Sequence, residues 1–336
     1  MKKVNLAIVG ATGMVGTTFI KVLEERQFPI NQIYFFASAK SKGEKIKFQG
    51  QTYEVEVLSE TSFDRDIDIA LFSAGGDISQ KYAPIAKSKG VVVVDNSSVW
   101  RMHPEVPLVV PEVNAKDALH HQGIIANPNC STIQSVVPLK VLHENYKIKR
   151  IVYSTYQAVS GSGMKGVRDL EQGLLGHAPT NYPYPIANNC LPQIDTFLPN
   201  GYTKEEMKMI DETKKILGDG SLKITATAVR VPVMNGHSVS INLEFEKPFE
   251  LEAVIENLKN SPGIIVMNEN HLSPQSTQPY PMPLTVSGTD DVYVGRIRRD
   301  ESLENGLNLW VVADNIRKGA ATNAVQIAEF LVKAGE

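Results

Sequence analysis

Val4-Asn5-Leu6-Ala7-Ile8-Val9 runs straight into Gly10-Ala11-Thr12-Gly13-Met14-Val15-Gly16, after which Phe19, Ile20 and Leu23 recur at helical spacing. A short apolar run, a glycine-rich turn and an amphipathic stretch predict a strand, a tight loop and a helix. Glycines in such a loop let backbone approach a pyrophosphate, whose charge then faces the helix N-terminus. The spacing is Gly-x-x-Gly-x-x-Gly, with Thr12 where the commoner dinucleotide fingerprint has its second glycine, so a purely structural turn is the competing reading. Further apolar segments, Ile33–Ser38, Ile67–Ser73 and Val91–Asp95, alternate with helical patterns such as Ile78–Lys89. That alternation predicts a parallel sheet covered on both faces.

The loop after the second strand, Ser38-Ala39-Lys40-Ser41-Lys42-Gly43, has no acidic residue where a ribose 2′-hydroxyl would be gripped. Ser38, Lys40 and Ser41 suit a 2′-phosphate instead, which favours NADP over NAD, against the reading of an ordinary polar loop. Asn96-Ser97-Ser98-Val99-Trp100-Arg101 places an arginine just beyond a strand end, where a guanidinium can fork onto phosphate or simply be solvated.

Ala126-Asn127-Pro128-Asn129-Cys130-Ser131-Thr132 delivers a thiol to the start of a helix that continues through Val136, Val137, Leu139 and Leu142. Ser131 or Thr132 is expected to cap it. Exposed amides and a helix dipole favour thiolate over thiol, making Cys130 a candidate nucleophile rather than a merely buried cysteine. Cys190 matches no catalytic pattern and is expected to serve packing. Two cysteines in no metal-binding arrangement point to no metal and a reducing compartment.

With 336 residues, 42% hydrophobic and 21% charged, the chain suits a two-domain globular protein. A net charge of −3 offers no nucleic-acid surface, and no apolar run approaches a membrane span or a signal peptide. A cytoplasmic location is expected.

Taken in order, Gly10 to Gly16, Asp95-Asn96-Ser97-Ser98, Asn127 to Thr132, Tyr156-Gln157-Ala158-Val159-Ser160-Gly161-Ser162-Gly163, and Arg230-Val231-Pro232-Val233 followed by Gly236-His237-Ser238 resemble aspartate-semialdehyde dehydrogenase nearly end to end. The resemblance implies an α/β fold: a Rossmann-type nucleotide-binding domain, discontinuous over 1–129 and 316–336, with a second α+β catalytic and dimerisation domain over 130–315. It implies NADP- and phosphate-dependent interconversion of L-aspartate 4-semialdehyde and L-4-aspartyl phosphate through a cysteine thioester, on the route to lysine, threonine and methionine, by a homodimer.

By the same resemblance Cys130 is the nucleophile and His237 its acid/base partner. Gln157 and Arg230 hold the substrate, Glu205 takes its amino group, and Arg101 with Lys208 takes phosphate. Gly10, Thr12, Gly13, Met14, Val15, Ser38, Lys40, Ser41, Ser160, Gly161 and Asn315 belong to the cofactor site. Glu205 and Lys208 lie three apart on one helix face, a spacing equally common on solvated helices, and Glu206 is an alternative carboxylate. His120 and His121 read as solvated; His103, His143, His177 and His271 carry no assigned role. Ser273–Pro283 reads as a long extended connection. N-acetyl-glutamyl-phosphate reductase and a catalytically silent relative that acts as a binding protein are the competing functions.

Overall fold

Six consecutive buried residues make Val4–Val9 the central strand β1, whose unbroken apolar run suits a strand covered on both faces. The computed structural model describes residues 2–268 and 279–335. The chain divides into two compact units, Met1–Asn129 with Ala320–Glu336, and Cys130–Gly319; the return begins at Ala320, four positions beyond the 316 read from sequence.

In the first unit β1 leads to helix α1 (Met14–Glu25), followed by β2 (Ile30–Ala37), a hairpin of β3 (Lys45–Phe48) and β4 (Gln51–Glu54), and short β5 (Glu56–Val57). Then come β6 (Ile69–Phe72), α2 (Gly76–Ser88), β7 (Val92–Asp95), the single turn α3 (Pro111–Asn114) and β8 (Ile124–Ala126). The sheet runs β5-β2-β1-β6-β7-β8, every pairing parallel. Strand order reverses at β1, so the glycine loop leaves the sheet at the topological switch point. The C-terminal helix Thr322–Ala334 supplies Ala324, Val325, Ile327 and Ala328 to the same core as Leu6, Ile8 and Phe19.

The second unit opens with α4 (Cys130–Tyr146), then β9 (Ile148–Gln157), α5 (Gly163–Leu174), α6 (Lys204–Leu217), β10 (Lys223–Arg230) and β11 (His237–Phe245). After these come α7 (Leu251–Lys259), β12 (Ile264–Met267), α8 (Pro283–Val286), β13 (Val292–Asp300) and β14 (Gly306–Ala313). Its sheet is mixed, in the order β10-β9-β11-β14-β13-β12. Helices α4, α6 and α7 pack on one face. Along β9 the inward residues Ile151, Tyr153, Thr155 and Gln157 are buried while Tyr156 on the other face is exposed, the period-2 pattern of a sheet covered on one side.

Strand directions explain the site. β9 and β10 are parallel and in register from Arg150↔Lys223 to Gln157↔Arg230, so both end at one edge. β11 is antiparallel to β9, with Ser238 opposite Tyr156, so it begins where β9 ends. Gln157, Arg230 and His237, scattered over the sequence, therefore share one sheet edge.

Two expectations are corrected. Helix α4 begins at Cys130 itself, leaving Ser131 and Thr132 inside its first turn instead of capping it, because the turn residues Pro128 and Asn129 already end the preceding segment. Cys190 is exposed rather than packed: it follows Asn188, whose φ is +57°, and its amide is tied to the Asn189 side chain at 2.9 Å in a surface turn. His271 and most of Ser273–Pro283 lie outside the described residues. No helix among the described residues is long and apolar enough to cross a membrane, and no cluster of His, Cys, Asp or Glu there could hold a metal ion.

Candidate active site

In the first unit, the loop before α1 is built for backbone approach. Gly10 has φ +86°, and a Cβ there would stand 2.4 Å from the Ser73 carbonyl oxygen. Gly16 is packed against the Gly10 carbonyl so closely that a Cβ would come within 2.1 Å, which clamps helix to loop. Gly13 stands at the N-cap of α1 and no side chain caps the helix, so its first amides are open to an anion. A cavity of about 300 Å³ adjoins, lined by Gly10, Thr12, Gly13, Ser38, Leu58 and Tyr82 among others. Thr12 and Ser41 hydroxyls are 3.1 Å apart, and Ser38 and Lys40 are exposed beside them. Met14 and Val15 form the first turn of α1; Val15 packs against the core, which leaves it only its backbone to offer. Leu58, Ile78 and Tyr82 also line the cavity; their distance from the glycine motif hid them from a motif-based reading.

Arg101 also belongs to this unit. It is 8% exposed rather than solvated, and donates from Nε to the Asn127 carbonyl and from Nη2 to the Asn96 carbonyl, each at 3.0 Å. Asn127 in turn donates to Asn96 Oδ1 at 2.7 Å and accepts from Asn323 at 2.7 Å, so buried amides hold the loop that presents the guanidinium.

In the second unit, His237 is fully buried. Its Nδ1 accepts the Ala158 amide at 3.0 Å, so the neutral ring carries its hydrogen on Nε2. Nε2 has no hydrogen-bond partner among the described residues. Burial, reinforced by the Arg230 guanidinium, pushes the imidazole well below its ordinary pKa, so the ring is neutral at neutral pH. Arg230 is 4% exposed; its Nη1 donates to the Ala158 carbonyl at 2.7 Å, and among the described residues its Nε has no hydrogen-bond partner and no carboxylate pairs with it. Burying a guanidinium without a counter-ion is costly, which makes it a candidate anion-binding group. Gly161 lies against both: a Cβ there would be 2.8 Å from Arg230 Nη1 and 3.1 Å from His237 Nε2.

Gln157 is held at both ends, Oε1 accepting from Thr155 at 2.9 Å and Nε2 donating to Glu205 Oε1 at 3.1 Å. Glu205, 5% exposed, also takes Lys208 Nζ on Oε2 at 3.2 Å. Burial disfavours the Lys208 ammonium, but Glu205 and Asp195 outweigh it and raise the pKa. These charges are therefore not a solvated helix face. Glu206 is engaged elsewhere: Thr203 and Glu206 form a reciprocal capping box at the start of α6, and Glu206 Oε1 also accepts the Ala228 amide at 2.9 Å.

Cys130 stands partly buried at the N-terminus of α4, with Gly319 pressed against it; a Cβ at 319 would come within 2.9 Å of the Cys130 Cβ. Gly319 sits in a π-helical turn, Arg317–Ala321. One turn along α4, Gln134 is fully buried and donates to the carbonyls of His237 at 3.1 Å and Val311 at 3.2 Å, tying the cysteine's helix to the histidine's strand. Ser160 and Asn315 bond to one another at 3.0 Å, and Asn315 Oδ1 accepts the Gly236 amide, fixing the turn before His237. Asp169 accepts the amides of Thr180, Asn181 and Tyr182, and Tyr182 donates to Ser162 at 3.0 Å, which supports the loop bearing Gly161. His120 is exposed, but His121 is half-buried, with its Nδ1 accepting the Gly123 amide.

Comparison with known proteins identifies the family. Residues 5–121 match the semialdehyde dehydrogenase NAD binding domain and residues 139–318 the semialdehyde dehydrogenase dimerisation domain. An aspartate-semialdehyde dehydrogenase of Aquifex aeolicus is 54% identical over 98% of both chains. The chain belongs to the aspartate-semialdehyde dehydrogenase family. A solved family member, aspartate semialdehyde dehydrogenase II of Vibrio cholerae complexed with ASA, has a TM-score of 0.94 at 46% identity over 99% of each chain. Another, the Candida albicans enzyme with NADP, has a TM-score of 0.76 at 26% identity over 98% of each chain. Membership establishes an oxidoreductase of the semialdehyde dehydrogenase kind, with a nucleotide-binding Rossmann unit and an α+β dimerisation unit.

Proposed function

We propose that the protein interconverts L-aspartate 4-semialdehyde plus inorganic phosphate with L-4-aspartyl phosphate, using NADP, as a cytoplasmic homodimer. The observation that carries the reading is Arg230, a buried guanidinium without a carboxylate partner among the described residues, beside the neutral, buried His237. A small anionic substrate would satisfy the guanidinium in a fork.

In the oxidative direction the Cys130 sulfur bonds to the aldehyde carbon, and the carbonyl oxygen becomes an oxyanion. His237 offers that oxygen its Nε2 hydrogen while Ala158 holds Nδ1. The open α1 amides and the Thr12, Ser38, Lys40 and Ser41 cluster would hold NADP, which when bound would supply a hydride acceptor in this direction and, once reduced, a hydride donor in the reverse one. The oxidised carbon remains as a thioester on Cys130. A phosphate oxygen then bonds to it, the carbon–sulfur bond breaks, and Cys130 leaves as thiolate, stabilised by the start of α4. Glu205 takes the substrate amino group, Gln157 orients the substrate near the reacting carbon, and Lys208 with Arg101 takes phosphate.

NADP reduction by aspartate semialdehyde, with and without phosphate, tests this against N-acetyl-glutamate semialdehyde. Phosphate-dependent turnover of the free-amino substrate, lost in Cys130→Ser, is expected. Turnover of the acetylated substrate instead would identify the competing reductase. No turnover of either, with cofactor still bound, would leave a silent relative.

A further inference from the structure

Lys208 is held by two carboxylates, not one. Besides Glu205, its Nζ donates to Asp195 Oδ2 at 2.9 Å. Asp195 precedes α6 with φ +69°, a left-handed conformation that aspartate tolerates better than most residues. Its Oδ1 accepts both the amide and the hydroxyl of Thr196, at 2.8 and 3.0 Å, which aims the free oxygen at the ammonium. One positive and two negative charges thus leave a net negative cluster around a lysine that keeps a third hydrogen for an outside acceptor.

We propose that Asp195 is a positioning residue that sets phosphate affinity: it holds Lys208 in place while its carboxylate offsets the ammonium charge, so that phosphate is bound weakly and released readily. The inference rests on the phosphate role of Lys208 in the function proposed above. Its chemical logic lies in the reductive direction, where phosphate is the departing group at the acylation step and a lysine whose charge is not offset would retain it. Glu205 cannot fill this role alone, because the function proposed above commits its charge to the substrate amino group as well as to Lys208.

Asp195→Asn removes the charge. The amide cannot serve both neighbours, since one side must face either the Thr196 amide or the Lys208 ammonium with hydrogens of its own. Asp195→Gly removes the group altogether and suits the positive φ, so it decides the matter if the asparagine variant folds poorly. Initial rates would be measured in the oxidative direction at low ionic strength, varying inorganic phosphate at saturating semialdehyde and NADP. The KM for phosphate is expected to fall about threefold or more, the scale of a partly exposed charge, while the KM for semialdehyde stays within about twofold. Phosphate should also inhibit the reductive reaction more strongly than in the wild type. A phosphate KM that is unchanged or raised in the folded variant overturns the proposal. Wild-type turnover that ignores phosphate would instead overturn the function on which it rests.

Discussion

Replacing Gly161 by alanine tests whether Arg230 and His237 work as one constellation. The added Cβ would meet Arg230 Nη1 at 2.8 Å and His237 Cε1 and Nε2 at 3.1 Å, where ordinary contact begins near 3.4 Å. Neither neighbour can turn aside cheaply, since Nη1 is bonded to the Ala158 carbonyl and the imidazole to the Ala158 amide. Relief therefore moves the guanidinium by about 0.6 Å, the difference between the two distances. If a 1 Å misplacement costs about a hundredfold in rate, this one costs about ten- to twentyfold, or ~1.5 kcal/mol of transition-state stabilisation. Overpacking should also lower stability by ~1–3 kcal/mol. Gly163 supplies the control: at φ +66° with open space around a Cβ, its alanine variant strains the backbone without touching the site. A cost of about 1 kcal/mol in stability with little loss of activity is expected there. The assay is kcat/KM for the semialdehyde at saturating phosphate, with a thermal melt of each variant. Gly161→Ala with kcat/KM within about twofold of wild type, or a loss matched by Gly163→Ala, would refute the reasoning.

Two further outcomes are expected. Arg230→Lys should raise the KM for semialdehyde by about ten- to a hundredfold, because an ammonium keeps the charge but not the fork, and cofactor titration should be unchanged. Stability should fall as pH drops below about 6.5: the unfolded chain protonates His237 there while the folded site, with its depressed pKa, does not, so unfolding takes up a proton. Burial depresses His143 and His121 in the same sense. Thermal melts across about pH 5 to 8 should show this slope, at most ~1.4 kcal/mol per pH unit for His237, and His237→Asn should flatten part of it; an unaltered slope in that variant contradicts the assignment.

Local signals carried much of the architecture. The apolar run before Gly10 and the helical spacing after it depend on neighbours in sequence, and β1 and α1 lie where those signals put them, while α4 starts at Cys130, ahead of the cap expected at Ser131 or Thr132. The segment after Gln157 was less legible: Ser160–Gly163 reads as a glycine-rich loop, yet α5 begins at Gly163 because packing against residues 180–182 compensates for poor helix formers. Partnerships across the chain were hidden altogether. Gln134 reaches His237 over 103 positions and Gln157 reaches Glu205 over 48, and nothing local marks either pair. Arg101 reads like any surface arginine because its acceptors are backbone carbonyls, which no side-chain motif records.

The in-register ladder joining Gln157 to Arg230 has a consequence for how such a site can diverge. Main-chain hydrogen bonds set the spacing of these two residues, so neither can shift along its strand without turning every side chain of that strand to the opposite face. Glu205 and Lys208 ride on a helix joined to the sheet through side chains only, by packing and by bonds such as Glu206 to the Ala228 amide, and such contacts can readjust in smaller increments than a main-chain ladder. A descendant selected for a longer semialdehyde would thus be expected to keep its strand termini and accumulate its changes beneath α6, the one adjustable jaw of a fixed vice.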